Sequence, residues 1–146
     1  MSNAADPPPS QFGYLLKRAQ HAFRTRIDDA LRPLGLTAPQ YAVLSAVDAI
    51  AGVSNAELAR AAFVTPQAMQ GVLANLERDG LLKRTAHPDH GRILRNELTA
   101  EGRQALGQAR LHVQDIEGLL SQAVGQENAA LFAEALARCA DALTPA

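Results

Sequence analysis

The sequence predicts a mainly α domain carrying one small β-hairpin, and three observations predict it. Of the 146 residues, 47% are apolar but only 4% are aromatic and none is tryptophan; apolar sequence dominated by Ala and Leu favours helices. Apolar residues recur at helical period through successive segments, each set off from the next by Pro, Gly or a Ser/Thr cap. After the turn-forming run His87-Pro88-Asp89-His90-Gly91-Arg92 the period switches to two, from Ile93 to Leu98. The length fits one domain, large enough to bury a core unaided.

Residues 1–9 stand apart from that pattern. Met1-Ser2-Asn3-Ala4 resembles a cloning remnant, and Asp6-Pro7-Pro8-Pro9 reads as a disordered or extended lead-in. A first helix is expected from near Ser10 to about Leu31, where Phe12, Leu15, Leu16, Ala19, Phe23, Ile27 and Leu31 give a wide apolar face; Pro33 and Gly35 end it. Thr37 caps a second helix with Pro39 in its first turn and Tyr41, Leu44 and Val47 inward, ended by Gly52. Ser54-Asn55-Ala56-Glu57 has the spacing of a capping box and opens a short third helix to about Ala61, with Phe63-Val64 as the turn beyond it.

Thr65 then caps the helix around which the chain is organised, with Pro66 at the first helical position, where a missing N–H is harmless. Met69, Val72, Leu73 and Leu76 form one apolar stripe, and Gly80 supplies the left-handed residue of a C-terminal cap. The opposite face carries Gln67, Gln70, Gly71, Ala74, Asn75 and Arg78, with no carboxylate before Glu77. On an isolated helix this would be ordinary solvated surface, but its neighbours argue otherwise. Gln and Asn can pair with adenine N6 and N7 in a major groove, and small residues between them allow close approach.

The following hairpin is basic. Leu81–Ala86 and Ile93–Leu98 read as strands, the second placing Leu94, Asn96 and Leu98 on one side. From Gly80 through Asn96 four cations face Asp89 alone, a net of +3. Two short helices, the second bearing an amide-rich outer face, followed by a basic hairpin, make the winged helix-turn-helix arrangement. The expected DNA contacts are Gln67, Gln70 and Asn75 to base edges, Ser54 and Thr65 to phosphate, Pro66 setting the helix start, and Arg92 at the wing tip with His90 and Arg95 beside it.

Leu36-Thr37-Ala38-Pro39-Gln40-Tyr41-Ala42-Val43-Leu44, Glu57-Leu58-Ala59, Leu76-Glu77-Arg78-Asp79-Gly80-Leu81-Leu82, and Arg92 ahead of Leu98-Thr99-Ala100-Glu101-Gly102 together span about two-thirds of the chain. In this order and spacing they resemble transcriptional regulators of the MarR (multiple-antibiotic-resistance regulator) type. One departure is visible: the family's wing usually reads Asp-x-Arg, whereas here the triplet is His90-Gly91-Arg92 with Asp89 one place earlier. The carboxylate that would orient the wing arginine is displaced. The resemblance implies a ligand-responsive repressor, or occasionally an activator, that binds a pseudo-palindromic operator as a homodimer, its half-sites about one helical turn apart. It also implies a small aromatic or phenolic effector in a crevice lined by the first, second and fifth helices, for which Tyr14, His21 and Tyr41 are the candidates.

Beyond the wing, Thr99 caps a long helix in which Leu106, Ala109, Val113, Ile116 and Leu120 follow at spacings of 3, 4, 3 and 4, a heptad-like seam of the kind that meets a partner helix. Gly125 breaks it, and a final helix from about Glu127 to Leu143 is expected to turn Leu131, Phe132, Ala135, Leu136, Cys139 and Leu143 inward. A two-fold homodimer is therefore expected from residues 10–35 and 100–146, flanking a DNA-binding region over 36–99. Leu15, Ala19, Leu106, Val113, Ile116, Leu120 and Leu136 are the expected interface.

The net charge of −1 is unevenly spread. Lys17 to Arg32 carries five cations against two carboxylates, and from Glu97 onward seven carboxylates face three arginines. A chain split this way can present a basic face to DNA and remain soluble. A single cysteine excludes an internal disulfide and fits a reducing cytoplasm; no run is apolar enough to span a bilayer. No nucleophile–base pair, phosphate-cradling glycine loop or catalytic carboxylate pair is present, so an enzyme is not expected, and no cofactor or metal is called for. Two rival readings are a redox or metal sensor of the same fold, using Cys139 or His87 and His90, and a protein-interaction adaptor that has lost DNA binding.

Overall fold

The structure, a computed structural model, describes residues 11–86, 89 and 94–146. Six α-helices and one hairpin follow in order: α1 (Phe12–Leu31), α2 (Ala38–Ala49), α3 (Asn55–Ala61), α4 (Pro66–Arg78), β1 (Leu82–Ala86), β2 (Leu94–Leu98), α5 (Ala100–Val124) and α6 (Ala129–Leu143). Short 3-10 turns at Arg32–Leu34 and Gln126–Asn128 join α1 to α2 and α5 to α6.

The helix boundaries follow from local chemistry. Thr37 and Gln40 form a reciprocal box, Gln40 N donating to Thr37 Oγ1 at 3.2 Å and Thr37 N donating to Gln40 Oε1 at 3.0 Å. These bonds satisfy a glutamine that is otherwise buried. At α3 only half of the expected box forms: Glu57 N donates to Ser54 Oγ at 3.1 Å, while the Glu57 side chain stays exposed in water. Helix α4 ends in a Schellman motif. Gly80, at φ +75, donates to Glu77 O, and Leu81 N donates to Leu76 O at 2.9 Å.

One core holds the chain together. Leu31 of α1, Val43 and Leu44 of α2, Leu58 of α3 and Met69, Leu73 and Leu76 of α4 are fully buried in one cluster with Leu82, Leu98, Leu106 and Ala109. Full burial of a Leu or Met side chain contributes about 1.5–3 kcal/mol, so the α4 stripe alone anchors that helix firmly. Its opposite face is left to solvent.

The terminal helices depart from expectation. Leu106 and Ile116 lie buried inside the protomer, with Val113 packed against the same core. The seam read as a partner contact therefore faces α1 and α2 of its own chain, because a 3-4 apolar spacing serves any helix neighbour equally. Leu15, Ala19, Leu120 and Leu136 remain exposed. Helix α6 forms as expected but buries none of its residues: Leu131 is 62% and Leu143 78% exposed, and Cys139 is exposed rather than a core residue. It extends beyond the compact unit, and its apolar stripe finds no cover there. No helix among the described residues is long and apolar enough to cross a membrane.

Candidate nucleic-acid interface

Helix α4 is delivered to the surface by its cap. Thr65 sits in extended backbone at ψ 155, and its Oγ1 accepts from Ala68 N at 3.1 Å, with Pro66 opening the helix. With Met69, Leu73 and Leu76 pinned inward, the helical period turns Gln67, Gln70, Gly71, Ala74 and Arg78 outward, and all are exposed. Gly71 has open space around it, with no described atom within 4 Å of where a side chain would stand. Ser54, at the start of α3, is exposed as well. Asn75 is exposed but lies on the flank of α4, where it lines a cleft beside α1 and the start of α2. Of the three expected base readers, Gln67 and Gln70 share the open first turns and Asn75 stands apart.

The wing is tied to this unit by polar contacts. β1 and β2 pair antiparallel, with Leu82 opposite Leu98, Lys83 opposite Glu97, Arg84 opposite Asn96 and Thr85 opposite Arg95. Leu82 and Leu98 are buried against the core, and Asn96, only 4% exposed, donates from Nδ2 to Asn55 Oδ1 at 3.1 Å. Arg95 is half-buried. His90 and Arg92, the expected wing contacts, lie outside the described residues, as does His87.

A second set of contacts fastens α5 to the end of α4. Thr99 Oγ1 donates to Gly80 O at 2.6 Å and accepts from Gly102 N at 2.9 Å, while Thr99 N donates to Leu81 O at 3.2 Å. A Cβ at position 102 would collide with the Leu81 carbonyl, so the two chain segments approach to a distance only glycine permits. Arg110 of α5 also pairs with Asp48 of α2 at 2.9 Å. Sequence reasoning does not single out Asn55, Asn96 or Gly102 for these roles. Only Asn96 carries a signal, since a polar residue on the apolar side of an alternating strand needs a buried partner.

Two clefts border the reading unit. One, of about 760 Å³, runs along Arg24, Asp28, Arg32, Thr37, Val72 and Asn75. The other, of about 360 Å³, is apolar, with Phe23, Ile27, Pro39, Ala42 and Phe63 in its walls and Arg24 as the one charged residue among them. The expected effector residues are elsewhere: Tyr14 and His21 are exposed on α1, and Tyr41 packs against the core, so none of the three lines either cleft. No α5 residue lines them either; Leu106 and Ala109 are buried in the core that α5 shares with α1 and α2. Among the described residues no group of three or more His, Cys, Asp or Glu side chains is arranged to hold a metal ion.

Phe63, in the turn between α3 and α4, has φ +55 and is 96% exposed. Val64 N donates to Ala59 O at 3.0 Å and Phe63 N to Arg60 O at 3.2 Å, the bonds of another Schellman ending.

Comparison with known proteins places this geometry. The sequence profile of the MarR family matches residues 34–93, from the end of α1 into the wing. The chain is 48% identical over 99 residues to the HTH-type transcriptional repressor Rv2887 of Mycobacterium tuberculosis, spanning 68% of this chain and 70% of that one. Its fold is similar to the crystal structure of Mycobacterium tuberculosis MarR family protein Rv2887 in complex with salicylic acid, at 37% identity and TM-score 0.73 over 92% of this chain and 98% of that one. It is also similar to the transcriptional repressor CouR bound to a 23-mer DNA duplex, at 32% identity and TM-score 0.80 over 88% and 92% of the two chains. An exposed amide-bearing helix on a winged helix-turn-helix core and a 48% identical repressor lead to one conclusion: the chain belongs to the MarR family of DNA-binding transcriptional regulators and is not an enzyme.

Proposed function

We propose that the protein is a homodimeric repressor that binds a pseudo-palindromic operator through α4 and leaves it when a small aromatic acid occupies the apolar cleft. The observation that carries this is the two-faced α4: Met69, Leu73 and Leu76 wholly buried, Gln67 and Gln70 open to solvent. Gln67 and Gln70 read base edges from the first turns, where a recognition helix makes its base contacts. The hydroxyl-capped starts of α3 and α4 lie beside the backbone of the duplex, and Arg92 and Arg95 reach it from the wing.

Pairing of two copies is supported by the apolar surface that each protomer leaves uncovered. Phe12, Leu15 and Leu16 of α1, Leu119 and Leu120 of α5, and Leu131, Phe132 and Leu136 of α6 are all exposed, more than an isolated soluble protomer ordinarily carries on its terminal helices. The effector class follows from the 360 Å³ cleft, whose aromatic and aliphatic walls suit a ring and whose Arg24 suits a carboxylate. The salicylic acid bound by the related Rv2887 is of this class.

In-vitro selection from random duplexes tests the reading at once for binding, symmetry and spacing. The expected product is an inverted repeat with centres about 10 base pairs apart. Recovery of no enriched sequence would defeat it.

A further inference from the structure

The turn before the recognition helix carries a residue that neither helix capping nor core packing calls for. Every other described residue with positive φ, at positions 35, 52, 80 and 125, is glycine. Position 63 needs the same left-handed backbone to close α3, yet holds phenylalanine, for which that conformation is strained. The residue is 96% exposed, so packing against the described residues offers little in return. Phe63 stands at the edge of the apolar cleft that Phe23 also lines, and only Val64 separates it from Thr65, the cap of α4.

We propose that Phe63 is the clasp of the effector cleft, closing its ring over a bound aromatic acid and moving the cap of α4 as it does so. This rests on the reading of that cleft as the effector site and adds the route from the cleft to DNA. With the cleft empty, the ring lies open and Thr65 holds α4 in its reading orientation. With an aromatic acid seated, its carboxylate pairs with Arg24 and its ring stacks on Phe63, which exchanges water for an aromatic face. The turn that closes over the ligand is the turn that sets the start of α4, so the closed form presents Gln67 and Gln70 wrongly. A ligand shifts such an equilibrium only by its differential contact with the two forms, and an exposed ring that becomes covered supplies that difference.

The chain has no tryptophan, which makes Phe63→Trp a single-tryptophan reporter at the clasp. Sodium salicylate and a panel of benzoates and cinnamates are titrated into it, with calorimetry on the unsubstituted protein alongside. The expected result is a blue-shifted emission on ligand addition, and at least tenfold weaker ligand binding by Phe63→Gly, which keeps the backbone and loses the ring. Phe63→Gly is also expected to hold its selected operator when ligand is added, whereas Phe63→Trp still releases it. If the unsubstituted protein binds such acids but the emission of Phe63→Trp is unmoved and Phe63→Gly binds and releases as before, the clasp is wrong and the cleft reading survives. If no acid in the panel binds the unsubstituted protein, the cleft reading falls and takes the clasp with it. Emission that shifts with duplex alone would make Phe63 a DNA contact and overturn the proposal.

Discussion

Asn96 on the second strand of the wing and Asn55 at the first turn of α3 are 41 residues apart in sequence and joined by one amide–amide hydrogen bond of 3.1 Å. Asn96 is buried, so this bond fixes the angle at which the hairpin leaves the domain. Removing Asn55 strands the buried Asn96 amide, which costs about 1–3 kcal/mol, and removing Asn96 leaves the half-buried Asn55 without its partner. Asn55→Ala and Asn96→Ala should each destabilise the fold by about 1–2 kcal/mol. The double variant should fall short of the sum by about 0.5–1.5 kcal/mol. Urea denaturation of the four proteins checks this; strict additivity would mean that the bond does not form.

The contact of Gly102 with Leu81 makes a sharper prediction. A methyl group there meets a backbone carbonyl that cannot step aside, and overpacking of this kind costs about 1–3 kcal/mol. Gly102→Ala should destabilise the protein by that much. Gly107→Ala on the same helix has open space around it and should stabilise by about 0.5–1 kcal/mol. Thermal melting of the two variants gives opposite signs if the packing is as described.

On DNA, Gln70→Ala should lose about 1–3 kcal/mol of binding, and only at particular base pairs of the selected site. Equal weakening on every duplex would show that Gln70 reads no base. Thr65→Ala removes the α4 cap and should lower stability by about 1 kcal/mol. A change at Asn75 should affect discrimination less than one at Gln70, given its place on the flank. Quantitative gel shift against a panel of single-base operator variants separates these effects.

The exposed stripe of α6 predicts the assembly. Leu131→Glu combined with Leu136→Glu leaves the protomer core untouched, since neither residue is buried in it. Sedimentation velocity should show dissociation to single protomers at micromolar concentration and a parallel loss of operator binding. A protein that already sediments as one protomer before substitution would end the dimer proposal.

How much of this could be read in the chain differs by region. Helix α4 was legible almost to the residue, because cap, proline, apolar stripe and terminal glycine all agree there. The second wing strand was legible from its alternation, the first from a short apolar-to-basic run with Thr85. The seam of α5 was legible as a seam but not as to its partner: Leu106, Val113 and Ile116 have the spacing that suits a neighbouring copy, and they are used by α1 and α2 of the same chain. Sequence periodicity reports that a face is covered, never by what. The position of the clefts was not legible for a related reason. Tyr14, His21 and Tyr41 have suggestive chemistry, but a cleft is defined by which backbones fail to touch, and that depends on contacts far apart in sequence. Phe63 looked like an ordinary turn residue, because nothing in a sequence marks a left-handed phenylalanine.

The tether of Thr99 to Gly80 has a mechanical consequence. α5 has 25 residues, which at 1.5 Å per residue makes a rod roughly 37 Å long, tied at its start to Gly80, just past the C-terminal end of the reading helix. In the proposed two-fold pair, were the two rods to cross, a change of about 5° in the crossing angle would carry that end of the reading helix by roughly 3 Å, close to the 3.4 Å rise from one base pair to the next. A slight scissoring of the two rods would thus put both reading helices out of step with the groove while every protomer kept its own core intact.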